Sequence, residues 1–95
     1  MAISLTVDGQ PYAGPFKIKG DGIAFAALTF IAPGNPGAAW SIKTIDGLMP
    51  FDSGEGLLDA NSQATVYLGP TREKGDADFK IVVGNQAKTA TVRFS

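Results

Sequence analysis

The residues with chemical potential are few, and their spacing limits what they can do. The acidic side chains fall into two groups, Asp52 and Glu55 with Asp59 nearby, and Asp76 with Asp78. Glycoside hydrolysis needs two carboxyls about 5–9.5 Å apart across a cleft, and closeness along one turn does not create a cleft. A calcium loop needs carboxylates and carbonyls wrapped around one ion, with a glycine for the bend and a distal glutamate. Asp59-Ala60-Asn61-Ser62-Gln63 has neither that glycine nor that glutamate. Ser53, in Asp52-Ser53-Gly54-Glu55-Gly56, has no histidine anywhere in the chain to activate it. Gly20-Asp21-Gly22 leads into a strand-like run rather than a helix, so it makes no phosphate cradle. The expectation is solvated turns, with no catalytic residue, no metal ligand and no cofactor.

Composition points the same way. The 95 residues include no cysteine and no histidine, which removes disulfides, thiolate nucleophiles, zinc fingers and imidazole bases. A net charge of −1 argues against nucleic acid as a partner, since phosphate recognition needs a basic face. The start, MAISLTVDGQ, lacks the basic segment and apolar stretch of a secretory signal, so synthesis into the cytoplasm is expected. The most apolar run, 23–32, is well short of the roughly 20 residues of a membrane helix, and no membrane association is expected. A chain of this length has room for one core, hence a single domain over 1–95.

The elements that must position these side chains are short. Turn formers recur at Asp8-Gly9, Gly20-Asp21-Gly22, Pro33-Gly34-Asn35-Pro36-Gly37, Asp46-Gly47, Gly54-Glu55-Gly56, Gly69-Pro70 and Gly84-Asn85, and leave no stretch suited to a helix. Between them, apolar and polar residues alternate. Ile3, Leu5 and Val7 oppose Ser4 and Thr6; Val66 and Leu68 oppose Thr65 and Tyr67. Phe79, Ile81 and Val83 oppose Lys80 and Val82; Ala90, Val92 and Phe94 oppose Thr89, Thr91 and Arg93. A period of two is the signature of antiparallel strands with one face buried. The pattern predicts an all-β sandwich of about seven antiparallel strands in two sheets. The strands are placed near 2–8, 15–19, 23–32, 39–45, 62–68, 77–84 and 88–94. The stretch 46–61 reads as a loop with a short irregular strand around Leu48 to Phe51. Lys17, Lys19, Lys43 and Lys74 read as solubilising charges at edges and turns.

In this order and spacing the chain resembles an immunoglobulin-like domain. Residues 16–27 are similar to the passage from strand A′ to strand B, and 33–40 to the B–C loop that ends in the strand-C tryptophan, here Trp40. Asp76 to Ile81 resembles the start of strand F, with Phe79 at the place of the corner tyrosine. Gly84-Asn85 followed by 88–94 resembles the F–G hairpin and strand G. The resemblance implies a core built on Trp40, Phe79, Ile81 and Val92. The family's inter-sheet cysteines are replaced, by Ala27 or Leu28 on strand B and Ile81 on strand F, so the loop-closure contribution of a disulfide, about 2–4 kcal/mol, is absent.

The run 23–32 breaks the alternation because both of its faces are apolar. One register turns Ala24, Ala26, Leu28 and Phe30 outward; the other exposes Ile23, Phe25 and Ile31. Such a run is either a central strand covered by bulky neighbours such as Tyr67 or by the 9–16 segment, or a contact surface, which exposed apolar patches mark; on the second reading Ala24, Ala26, Leu28 and Phe30 are the candidate partner-contact strand. The expected function is a non-enzymatic module that binds protein, either a partner or another copy. It resembles the accessory or decoration proteins of tailed-phage virions, with a capsid or other virion protein as partner. The alternative is a spacer or carbohydrate-binding domain of a bacterial surface adhesin or enzyme, located at the cell surface.

Overall fold

A computed structural model describes residues 3–47 and 54–95. The expected strand around Leu48 to Phe51, together with Asp52 and Ser53, lies outside the described residues. Among the described residues, nine strands run in chain order as β1 (Ser4–Val7), β2 (Gln10–Pro11), β3 (Phe16–Ile18), β4 (Ala26–Ile31), β5 (Ala39–Gly47), β6 (Glu55–Leu57), β7 (Gln63–Leu68), β8 (Gly75–Val83) and β9 (Gln86–Phe94). One sheet has the order β2-β1-β4-β7, the other β3-β9-β8-β5-β6. No helix occurs among the described residues. The fold is an all-β, immunoglobulin-like sandwich.

Alternation dictates which side chains meet between the sheets. Leu28, Phe30, Leu68, Phe79, Ile81, Val92 and Phe94 are almost completely buried there. Trp40, on β5, is 8% exposed and stands edge-to-face against Phe30, with ring centroids 5.1 Å apart at 78°. That arrangement lets a positive ring edge meet a negative ring face, which adds to the area both rings bury. At the two positions where a disulfide would staple the sheets, Leu28 and Ile81 both belong to the core cluster, and Ala27 points away from it.

Two details depart from the simple reading. The pairing of β3 with β9 is parallel, with Phe16 beside Val92 and Ile18 beside Phe94, whereas every other strand pair is antiparallel. A crossover between sheets through 12–15 makes this possible, and alternation within a strand carries no sign of it. The run 23–32 also becomes a strand only from Ala26. The Oδ1 of Asp21 accepts the N–H groups of Ile23 and Ala24 at 2.8 and 2.9 Å, which commits those donors to a local turn. The Oδ1 of Asp8 then takes the N–H of Ala27 at 2.9 Å, while the Asp8 N–H donates to the Ala27 carbonyl. Both strands therefore end on one aspartate.

The chain enters and leaves at opposite poles of a body 37 × 23 × 21 Å. Ser4 pairs with Ile31, beside the loop 32–38 that opens β5, and the start of β5 pairs with the end of β8. This is the pole of entry. At the far pole, Ser95 exchanges backbone hydrogen bonds with Ile18 and Gly20, and Gly75 pairs with Phe94.

Candidate interaction surface

Asp8, Asp21, Asp59, Asp76 and Asp78 are each engaged in hydrogen bonds. Asp76 and Asp78 project from β8 and meet partners on β9. The Arg93 Nε–H donates to Asp76 Oδ1 at 2.9 Å, and the Thr91 hydroxyl donates to Asp78 Oδ1 at 2.6 Å. The Arg93 hydrogen bond holds the Asp76 carboxyl below its ordinary value, and reciprocally raises the guanidinium. Asp21 is also lowered, by the amides of Ala24 and then Ile23. Asp59 accepts the N–H groups of Asn61 and Gln63 through Oδ1 and closes its own turn. Among the described residues, no three His, Cys, Asp or Glu side chains gather as a metal site would require. Among the described residues, one open depression of about 440 Å³ is lined by Ala39, Trp40, Glu55, Gly56 and Leu57, and another of about 340 Å³ by residues around Leu5 and Tyr12.

What the surface does offer is apolar. Ile23 is 77% exposed, Phe25 58% and Tyr67 60%, and the Phe25 and Tyr67 rings meet at 6.0 Å and 65°. Tyr67 sits opposite Ala27 across the β4–β7 ladder, which brings it beside the residues that precede β4. Phe25 and Tyr67 form a patch toward the pole where the chain leaves, and exposed Ile23 lies two residues before Phe25 in the turn.

This corrects the contact strand expected from sequence. Ala26, Leu28 and Phe30 face the core, and Ala24 is half-buried against it. The reason is burial: Leu28 and Phe30 are far larger than Ala27 and Thr29 on the other face, and turning them inward removes more apolar surface from water, with Asp8 and Asp21 closing the turns beside the strand. The exposed apolar residues are those of the opposite parity, Ile23 and Phe25, in the turn before the strand. Trp40, Phe79, Ile81 and Val92 are all buried.

Tyr12 has a role that alternation did not reveal. Its hydroxyl accepts the N–H of Thr91 at 3.0 Å, just where β3 stops covering the edge of β9. A side-chain oxygen thus stands in for a missing strand carbonyl.

The chain is thus an immunoglobulin-like sandwich with exposed apolar side chains, Phe25 and Tyr67 among them, on its surface. No family model matches the chain, and no curated protein matches it. Among solved structures, it is similar to the D0-D1 domain of intimin (TM-score 0.74, 17% identity, 99% of this chain and 49% of that one). It is also similar to the D00-D0 domain of intimin (TM-score 0.73, 16% identity, 100% of this chain and 48% of that one). A third similar structure is the C-terminal 282-residue fragment of intimin in complex with the intimin-binding domain of the translocated intimin receptor. There the TM-score is 0.71 and the identity 17%, over 99% of this chain and 33% of that one. The chain thus spans half or less of each intimin fragment, and at these identities the likeness is one of fold.

Proposed function

We propose that this chain is a non-enzymatic immunoglobulin-like module of a bacterial surface adhesin, serving as a spacer and a protein-contact unit. The observation that carries this reading is the superposition of essentially the whole chain onto about half of each of two paired-domain intimin fragments. The placement of its ends supports it: a module entered at one pole and left at the other can be strung in line with neighbours. These comparisons favour the surface-adhesin reading over a virion accessory protein. That a related fold works by protein contact is supported by the intimin fragment complexed with its receptor domain.

The test is protease treatment of intact cells of the encoding organism, followed by detection with an antibody to this domain. Loss of the epitope from intact cells, with a cytoplasmic control protein preserved, is the expected result. An epitope that survives on intact cells and is cut only after lysis, or that is found only in purified virions, refutes the reading.

A further inference from the structure

The edges of the two sheets are not equally protected. β2 has two residues and one of them is Pro11; β3 has three, including Lys17, and is flanked by Lys19; β6 has three, including Glu55. Shortness, proline and charge are the devices that keep sheet edges from pairing with foreign strands. β7 has none of them. It is six residues long, Gln-Ala-Thr-Val-Tyr-Leu, without a charge or a proline, and among the described residues it borders β4 alone.

Its free backbone groups can be identified. The Ala32 N–H donates to the Ser62 carbonyl at 2.9 Å, and the β4–β7 register continues that alternation through Ala64, Val66 and Leu68. Those residues bond toward β4, so Gln63, Thr65 and Tyr67 bond away from it. Gln63 is already satisfied: its carbonyl accepts the Asp59 N–H at 3.0 Å and its N–H donates to Asp59 Oδ1 at 3.1 Å. The N–H and C=O of Thr65 and Tyr67 remain, four groups on one open edge.

We propose that this edge pairs with the same edge of a second copy, antiparallel about a two-fold axis at Val66. In that register Thr65 lies opposite Tyr67 of the second copy, and each pair exchanges both of its N–H···O bonds. All four free groups on each chain are then used. Centring the axis on Thr65 would spend a pair on Gln63, whose groups are taken; centring it on Tyr67 would bring in Gly69, which lies beyond the strand. The outer face is compatible: Tyr67, already packed on Phe25, comes beside the Thr65 hydroxyl that bonds Thr29 at 2.9 Å in the second copy. No charged side chain of β7 faces another, so like-charge repulsion does not oppose the pairing. Pairing about a two-fold axis uses the same β7 edge of both copies, so association through it is isologous and closes at two; the stretch of β9 that β3 leaves uncovered, 86–90, carries the charge of Lys88. The contact is smaller than the ~1,200 Å² of a stable interface, so the dimer is reversible, with a dissociation constant of about 0.1–1 mM. This pairing does not depend on the adhesin reading.

The experiment combines sedimentation equilibrium of the 95-residue chain up to about 1 mM with amide hydrogen exchange at several concentrations. The expected result is a mass rising from monomer toward dimer, with the Thr65 and Tyr67 amides gaining protection as concentration rises and those of β2 and β3 not. Thr65→Pro removes two of the four intermolecular bonds at a position whose N–H is unused in the monomer. It should weaken the dimer about 30-fold or more while leaving the far-ultraviolet circular dichroism unchanged. If that variant does not fold, the wild-type exchange pattern decides. A chain that stays monomeric without concentration-dependent protection overturns the proposal. So does a dimer that folded Thr65→Pro leaves intact, or an edge that takes up an unrelated extended peptide while the chain itself remains monomeric.

Discussion

Gly56 lies against the indole of Trp40, and replacing it tests how that ring is held. A Cβ at position 56 would stand 2.7 Å from Trp40 Cζ2, 2.9 Å from Cε2 and 3.0 Å from Nε1. Those distances are too short for carbon, and the indole cannot retreat freely because Phe30 is packed edge-to-face against it. Either β6 lifts from β5 or the ring leaves its rotamer, and overpacking of this kind costs about 1–3 kcal/mol. Gly56→Ala also restricts the unfolded chain, a gain of about 0.4–1 kcal/mol at a position outside the left-handed region. The net loss is near 1.5 kcal/mol, or roughly 10 °C in Tm for a domain of this size. Circular dichroism is the right assay, since Trp40 is the single tryptophan and the cycle removes it. In the Trp40→Phe background the clashing atoms are gone, along with an indole N–H that is buried without a partner. There Gly56→Ala should be neutral or slightly stabilising. An equal loss in both backgrounds, or none in either, would refute the steric reasoning.

Two further expectations concern hydrogen bonds. Tyr12→Phe keeps the ring, which packs at 88° against Phe16, but strips the acceptor from the Thr91 amide. The loss should be about 1–2 kcal/mol in urea unfolding, with faster exchange localised at Thr91. Asp21 and Asp76 both have folded values lowered below 3.8. Their contribution to stability is therefore complete above the unfolded value and is lost as pH falls through the lowered folded values. The stability gap between the wild type and an Asp21→Asn, Asp76→Asn double variant should be full at pH 6 and close as the pH drops below about 3.8. A gap that widens on acidification contradicts the assignment.

The sequence announced most of the sandwich because β1, β7, β8 and β9 each keep one wet face, and period-two alternation reads burial directly. It could not resolve β4. There both faces of the run are apolar, and the strand itself begins only at Ala26, after a turn closed by Asp21 and beside an Asp8 that lies 19 residues from the amide it binds. Alternation is blind to such side-chain-to-backbone bonds and leaves two registers open; the candidate contact residues Ala26, Leu28 and Phe30 belong to the core. β2 and β6 are too short to show any period. The surface patch was half visible, as Phe25, but Tyr67 joins it only through the β4–β7 pairing. Tyr12 was invisible for the same reason, since its partner is 79 residues away.

The parallel pairing of β3 with β9 has a mechanical consequence. Tension applied to the two chain ends pulls β3 from its leading end, through β1 and β2, and β9 from its trailing end, in opposite directions along the strands. The hydrogen bonds between Phe16–Ile18 and Val92–Phe94 are then loaded in shear and share the force, rather than breaking one after another as in a peeled hairpin. The Tyr12 hydroxyl, bonded to Thr91 just above them, adds one more link to the same row. Stretched from pole to pole, the module loads this short clamp in shear. Pulled across that direction, it has no such defence.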